Sequence, residues 1–265
     1  MNIKILVAAH KAYKMPSDNS LYLPIFVGRA LHPQTELPFQ GDDQGRDNIS
    51  KKNSSYNELT AIYWAWKNLD ADAIGLVHYR RYLSKSKKKD LSNILNKQDV
   101  ERMLSVNPII LPKKRHYYIE TNYSHYLHAH HIKPLDDARK IIARDYVQYL
   151  PAFDRVMNQR SAHMFNMFIM KRNLLNDYCT WLFDVLQKVE NCTDVSDYDS
   201  YERRVYGFVS ELLLDVWIDT NQYKYTEVNC VFMEKQNWLK KGQSFLLRKL
   251  RGNQFNESKR EDTVK

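Results

Sequence analysis

Residues 55–82 read SYNELTAIYWAWKNLDADAIGLVHYRRY, and the fold class turns on this stretch. Ser55 and Glu58 match a capping box, and Leu59, Ile62, Tyr63, Trp66 and Leu69 recur at helical spacing. Together they predict an amphipathic helix over 56–69. Close behind it, Ala73–His78 (AIGLVH) is a short apolar run of the kind that forms a strand buried on both faces. The run opens into the polar cluster His78-Tyr79-Arg80-Arg81-Tyr82. A helix handing directly to a buried strand is the repeating unit of an α/β layered sheet.

The flanks repeat the pattern. Ile3–Ala9 (IKILVAA) reads as a first buried strand, and residues 32–53, with their Pro, Asp and Gly, as a long loop of the sort that often carries function. Beyond the charged loop of Lys85, Lys87, Lys88 and Lys89, a short helix is predicted over 98–105 and a strand over 108–111. A helical, Tyr- and His-rich stretch follows over 117–149, then a strand over 164–170 interrupted by Asn166. Helices over 173–189 and 206–220 and a strand over 224–231 complete the alternation, and no internal repeat is present. The polar residues 253–265 read as a frayed end.

Composition narrows the chemistry. The 265 residues include only seven glycines, at 28, 41, 45, 75, 207, 242 and 252. No two have the spacing of a GxGxxG dinucleotide fingerprint or a GxxxxGK phosphate loop, so a phosphorylated ligand must be held by side chains. Cys179, Cys192 and Cys230 are odd in number and lack CxxC spacing, which fits reduced thiols. The apolar run at the N-terminus is too short for a signal peptide, and no window approaches the roughly 20 apolar residues of a spanning helix. A cytosolic protein is therefore expected. Net charge is +9, but residues 235–265 hold nine basic and three acidic residues against 31 and 28 in the preceding 234. A nearly neutral body argues against a nucleic-acid groove. Residues 238–252 (WLKKGQSFLLRKLRG) mix apolar and basic side chains, as suits an element resting on an anionic membrane or one packed on the domain. The basic tail also supports an alternative, a non-enzymatic peripheral membrane or nucleic-acid-binding protein.

Four constellations carry possible chemistry. Ligands of open α/β sheets bind at the carboxyl ends of the strands, where the His78–Tyr82 cluster falls. Arg80 and Arg81 are expected to grip a diphosphate bidentately without a metal, and His78 to bond the leaving group or give it a proton. Asp70-Ala71-Asp72 looks like the DxD that holds Mg²⁺ or Mn²⁺ in nucleotide-sugar transferases, but it precedes the strand and reads as a turn at the opposite end of the sheet. His125, His128, His130 and His131, with His116 upstream, have no Cys or acid within the run; acceptor contact or plain surface suits them better than zinc. Glu211 opens the polar side of an apolar helix with Asp215 one turn on. It reads either as a solvent-facing acid or as the base for an acceptor hydroxyl.

Taken together, several blocks resemble an uncharacterised-domain family of bacterial glycosyltransferases of capsule, exopolysaccharide and O-antigen pathways. The matching stretches are residues 7–11 with Met15-Pro16, NISKKNSSYNELTAIYWAWKN (48–68), GLVHYRRYL (75–83), Asn166–Met170, Tyr178–Phe183 and RVYGFVSE (204–211). The resemblance runs from about residue 3 to residue 230. It implies a GT-A-like single domain over 1–233, with a mixed, mostly parallel sheet flanked by helices, followed by the basic segment 234–265. It implies transfer of a hexose (galactose or galactofuranose in some pathways) from a UDP-sugar to a lipid-linked oligosaccharide at the inner face of the cytoplasmic membrane. The reaction is expected to be inverting and to need no divalent metal or other cofactor, and nucleic acid is not expected as a partner. Under this reading Glu211 is the base. His10, Lys11, Asn53, Glu58, Tyr63, Arg80, Arg81 and Asn166 bind the donor, Asn166 through sugar hydroxyls.

Overall fold

Strand β1 (Ile3–Ala9) shows how the layers are arranged. Ile3, Ile5, Val7 and Ala9 enter one apolar cluster, while Leu6 and Ala8 enter a second on the opposite face. A strand with both faces buried needs cover on both sides, which explains why its sequence is apolar apart from the half-buried Lys4. The computed structural model describes residues 1–234. In chain order come β2 (Tyr22–Phe26), β3 (Gln40–Gly41), α1 (Asn53–Tyr56), α2 (Leu59–Asn68), β4 (Ala73–His78) and β5 (Arg81–Ser84). Then follow α3 (Lys97–Val106), β6 (Ile109–Pro112), β7 (Arg115–His116), α4 (Asn122–Ala129), α5 (Lys133–Asp145) and α6 (Leu150–Asn158). The described chain ends with β8 (Ser161–Ala162), β9 (Phe168–Lys171), α7 (Arg172–Cys192), α8 (Val205–Asn221) and β10 (Tyr225–Phe232). Val100 and Leu104 of α3 cover one face; the buried sides of α2, α5, α6, α7 and α8 cover the other. The molecule is thus a mixed α/β layer.

The main sheet has the order β3-β2-β1-β4-β5-β10-β6-β9, with β4 also paired to β9. Its pairings close a ring, β4 to β5 to β10 to β6 to β9 and back to β4. β4 is forked: Ala73 to Leu76 pair with β9, whereas His78 pairs with Arg81 of β5. Gly75 is needed at the fork, because a Cβ there would lie 2.6 Å from Ile169 Cγ1 and 2.9 Å from the Phe168 carbonyl oxygen. Among the described residues four pairings of the sheet are parallel and four antiparallel, so the expected mostly parallel sheet is corrected to an evenly mixed one. The reason is local: β4 returns as β5 through two residues, and only antiparallel strands can be joined so tightly.

Three other expectations change. The capping box at Ser55 and Glu58 does not form; Asn57 has φ 50° and breaks the chain into α1 and α2, which frees Glu58 to point elsewhere. The helical stretch over 117–149 is divided between α4 and α5, preceded by β7. The strand expected over 164–170 starts only at Phe168, because Phe165 (φ 75°) and Asn166 (φ 53°) form a left-handed turn. The loop before α1 is pinned by buried Asp42, which accepts from the backbone N–H groups of Gly28 and Arg29 and from the Ser50 and Thr60 hydroxyls. Among the described residues no helix is long and apolar enough to cross a membrane. The basic segment expected over 234–265 lies, Glu234 apart, outside the described residues.

Candidate active site

The alternation that sends Ile74 and Leu76 to the face covered by α2 and α5 to α8 sends His78 there as well. Arg81 stands directly opposite it across the two-residue turn, so the two share a face. Above them, Arg204 and Glu211 lie two helical turns apart at the start of α8. The left-handed turn at Phe165 and Asn166 ties these parts together. The Phe165 carbonyl accepts from His78 Nε2 at 2.7 Å, and its backbone N–H donates to Glu211. Asn166 Nδ2 donates to Glu58 (2.7 Å) and to the Gly207 carbonyl (3.1 Å), while its Oδ1 accepts from the Ser210 hydroxyl at 2.9 Å. Two consecutive non-glycine residues in this region cost on the order of 1–3 kcal/mol each, which the surrounding hydrogen bonds must offset.

The electrostatics single out Glu211. Burial and the neighbouring Glu58 carboxylate push its pKa up to about 7, against the Phe165 N–H and the charges of Arg81 and Arg204, which favour the ionised form. A carboxyl group that exchanges its proton near neutral pH is suited to general-base work. His78 moves the other way. Burial, aided by Arg81 and Arg204, lowers its pKa despite Glu58 and the Phe165 carbonyl. The neutral ring that results donates from Nε2 and offers Nδ1 only as an acceptor. With Nε2 taken up by the Phe165 carbonyl, any expected contact of His78 with a leaving group falls to Nδ1.

Next to this cluster, beyond the carboxyl ends of β1 and β4, Lys11, Arg80 and the His10 ring gather round Tyr79. The His10 ring meets Tyr79 edge-on at 5.3 Å, Lys11 Nζ lies 5.7 Å from the ring centre, and the Arg80 guanidinium 4.8 Å from it. Burial and the charges of Arg80, Lys11 and Arg204 lower the pKa of His10, a sign of positive potential at this spot. Arg80 also pairs with Glu234 at 2.8 Å. Arg81 instead lies over the rings of Phe165 (4.4 Å) and Phe232 (5.2 Å). The two adjacent arginines thus serve different walls rather than one side-by-side grip.

A cavity of about 360 Å³ runs from Arg81, Phe165 and Glu211 to the histidines of α4. His125, His128 and His130 line it, and the acid missing from their run comes from Glu120 just upstream, which accepts from His125 and His128. Among the described residues no group of three or more His, Cys, Asp or Glu could hold a metal ion. Asp72 accepts from the backbone N–H of Asn2 at the far end of β4, as a turn residue there would.

Of the remaining expected donor contacts, Glu58 belongs to the cluster and three residues are redirected. Tyr63 does not reach it: its ring packs on Trp66 and Phe183, and its hydroxyl donates to Asp47. Asn53 donates to the Asn57 carbonyl and Thr60 and supports the turn at Gly28. Asn166 is at the centre of the cluster, but its amide is occupied by protein partners rather than open to a sugar. Sequence reasoning missed Arg204 and Phe165. Arg204 had a usable signal, its i, i+7 spacing to Glu211; Phe165 acts through its backbone and had none.

Fold and site together define a mixed α/β protein with a polar cavity, a near-neutral carboxylate and a cationic border at the carboxyl ends of its strands. The chain belongs to the family described as a domain of unknown function (DUF4422), which matches residues 4–222. It is similar to the apo structure of the bifunctional glycosyltransferase WbbM, with 30% identity and a TM-score of 0.80 over 89% of this chain. The chain spans 46% of that WbbM chain. No curated protein matches it in sequence.

Proposed function

We propose that the protein is a GT-A-like glycosyltransferase that moves a hexose from a UDP-sugar to a lipid-linked oligosaccharide in bacterial surface polysaccharide synthesis. The likeness to WbbM supports the transferase class, and the observation that carries the mechanism is Glu211, a carboxylate held near neutrality on the wall of the cavity. The Glu211 carboxylate takes the proton of an acceptor hydroxyl. The hydroxyl oxygen then attacks the anomeric carbon as the bond from that carbon to the diphosphate oxygen breaks, and the electron pair leaves with UDP. One displacement inverts the anomeric configuration. Lys11 and Arg80 border the space beyond β1 and β4, with Arg81 at the cavity side, and this cationic arc stabilises the departing diphosphate without requiring a divalent ion, while the His10 ring beside it hydrogen-bonds the donor. Neutral His78 accepts a hydrogen bond from donor or acceptor hydroxyl through Nδ1. The reaction takes place at the cytoplasmic face of the membrane, where the lipid-linked acceptor resides.

Titration calorimetry with UDP, with and without EDTA, tests the donor side. UDP should bind equally under both conditions, and Arg81→Ala or Arg80→Ala should abolish measurable binding. Binding that survives both substitutions, or that needs a divalent ion, overturns the arrangement. A product with the donor's anomeric configuration overturns the single displacement.

A further inference from the structure

The cavity wall contributed by α4 is fixed by hydrogen bonds of its own. Thr121 and Ser124 cap α4 reciprocally, which fixes the helix so that His125 and His128 share a face at i, i+3. Glu120, buried just before the cap, accepts from Nδ1 of His125 at 2.9 Å and from Nδ1 of His128 at 2.8 Å. A ring that donates from Nδ1 and is neutral presents Nε2 as a hydrogen-bond acceptor. Burial lowers the pKa of His125 and so favours that neutral form. Flat faces frame the same wall: Tyr117 stacks on His125 at 3.9 Å and Phe208 on His130 at 4.0 Å.

Unpaired polar atoms lie behind the same wall. Among the described residues only four buried side-chain polar atoms lack a hydrogen-bond partner, and three belong to residues lining this cavity: Tyr126 Oη, Asn122 Oδ1 and Arg81 Nε. Each such atom costs roughly 1–3 kcal/mol when left unpaired. The acceptor nitrogens of the two histidines and the aromatic faces beside them match a ring that carries several hydroxyls on one side and C–H bonds on another.

We propose that this wall is the acceptor-sugar subsite, where Nε2 of His125 and His128 accept from the hydroxyls of the terminal hexose and Glu120 acts as the positioning residue that aims both rings. The assignment rests on the glycosyltransferase reading and adds the division of the cavity: diphosphate at the arc, acceptor ring at the histidines, Glu211 between them.

The test uses the full chain and octyl β-hexopyranosides (galactoside, glucoside and N-acetylglucosaminide) as acceptor probes. Saturation-transfer NMR should show contact to the sugar ring protons of at least one probe, without any donor present. His125→Ala and His128→Ala should remove that contact and raise the acceptor KM at least tenfold, with UDP affinity within twofold of wild type. His128→Gln, which retains an acceptor oxygen, should recover part of the loss. Glu120→Gln can accept only one of the two N–H bonds, so it should raise KM more than it lowers kcat and alter the preference among the probes. Absence of sugar contact in wild type, unchanged contact in the variants, or loss of UDP or UDP-hexose affinity in their place overturns the subsite; the last result assigns the wall to the donor sugar. Failure of wild type to bind UDP is a separate result, which removes the transferase reading whatever the NMR shows.

Discussion

Glu211 and Asp215 lie one turn apart on α8, and their surroundings are opposites. Asp215 is enclosed: it accepts from the backbone N–H of His163 at 3.0 Å and bonds the ring at Nδ1, while Nε2 of the same buried ring reaches Glu227 at 3.1 Å. Glu211 has one backbone N–H from Phe165, and Glu58 nearby works against its charge. The difference teaches how one helix can serve two purposes. A carboxylate surrounded by donors joins α8 to β10 and the segment before β9. A carboxylate short of donors, on a cavity wall, is left free to exchange a proton.

The largest effect should come from Glu211→Gln, which keeps the shape and removes the base. A loss of about 10²–10⁴-fold in kcat is expected, measured at saturating acceptor. Because the folded pKa of about 7 lies above the ordinary 4.5, the stability linked to this group is present at low pH and lost as pH rises through 7. The wild type should therefore lose stability between these values while the variant does not, and its kcat/KM should rise with pH to an inflexion near 7. Glu58→Gln removes the opposing charge and should move that inflexion to lower pH; an unmoved inflexion assigns the titration to another group.

Asp215→Ala should act on stability instead. Removing one partner of a buried pair costs on the order of 3–5 kcal/mol, which urea denaturation will show, while activity per folded molecule stays close to wild type. If folded Asp215→Ala loses as much activity as Glu211→Gln, the division of labour between the two carboxylates fails. The smallest change is expected from Tyr63→Phe, which deletes the hydrogen bond to Asp47 and should cost no more than about 1.5 kcal/mol. UDP affinity measured on that variant should be unchanged, and a loss would restore Tyr63 to the donor site.

The legible parts of the sequence were those set by local pattern. Ile3–Ala9 and Ala73–His78 are strands with the bounds their runs predict, because a strand buried on both faces leaves a nearly continuous apolar signature. The long helices α7 and α8 were visible through their periodicity in the same way. The turns that build the site were not. Asn57, Phe165 and Asn166 all adopt positive φ without being glycine, held there by partners distant in the chain, such as Glu58 for Asn166 and the Arg204 side chain for Asn57. Nor could spacing reveal that Asp215 is enclosed, since its partner His163 lies 52 residues away. Glu211 stood out as a candidate from its place on the helix; its displaced pKa comes from burial and then from Glu58, which the capping-box pattern assigns to a helix end.

The turn between β4 and β5 holds Tyr79 and Arg80 and nothing else. It acts as a ruler. Inserting one residue there would rotate everything after it by half a pleat, carrying the Arg81 side chain from the cavity to the far side of the sheet while every residue of the motif is kept. Natural variation in this protein should therefore fall in the lysine-rich loop that follows β5, where length is free, and spare the count of residues from His78 to Arg81.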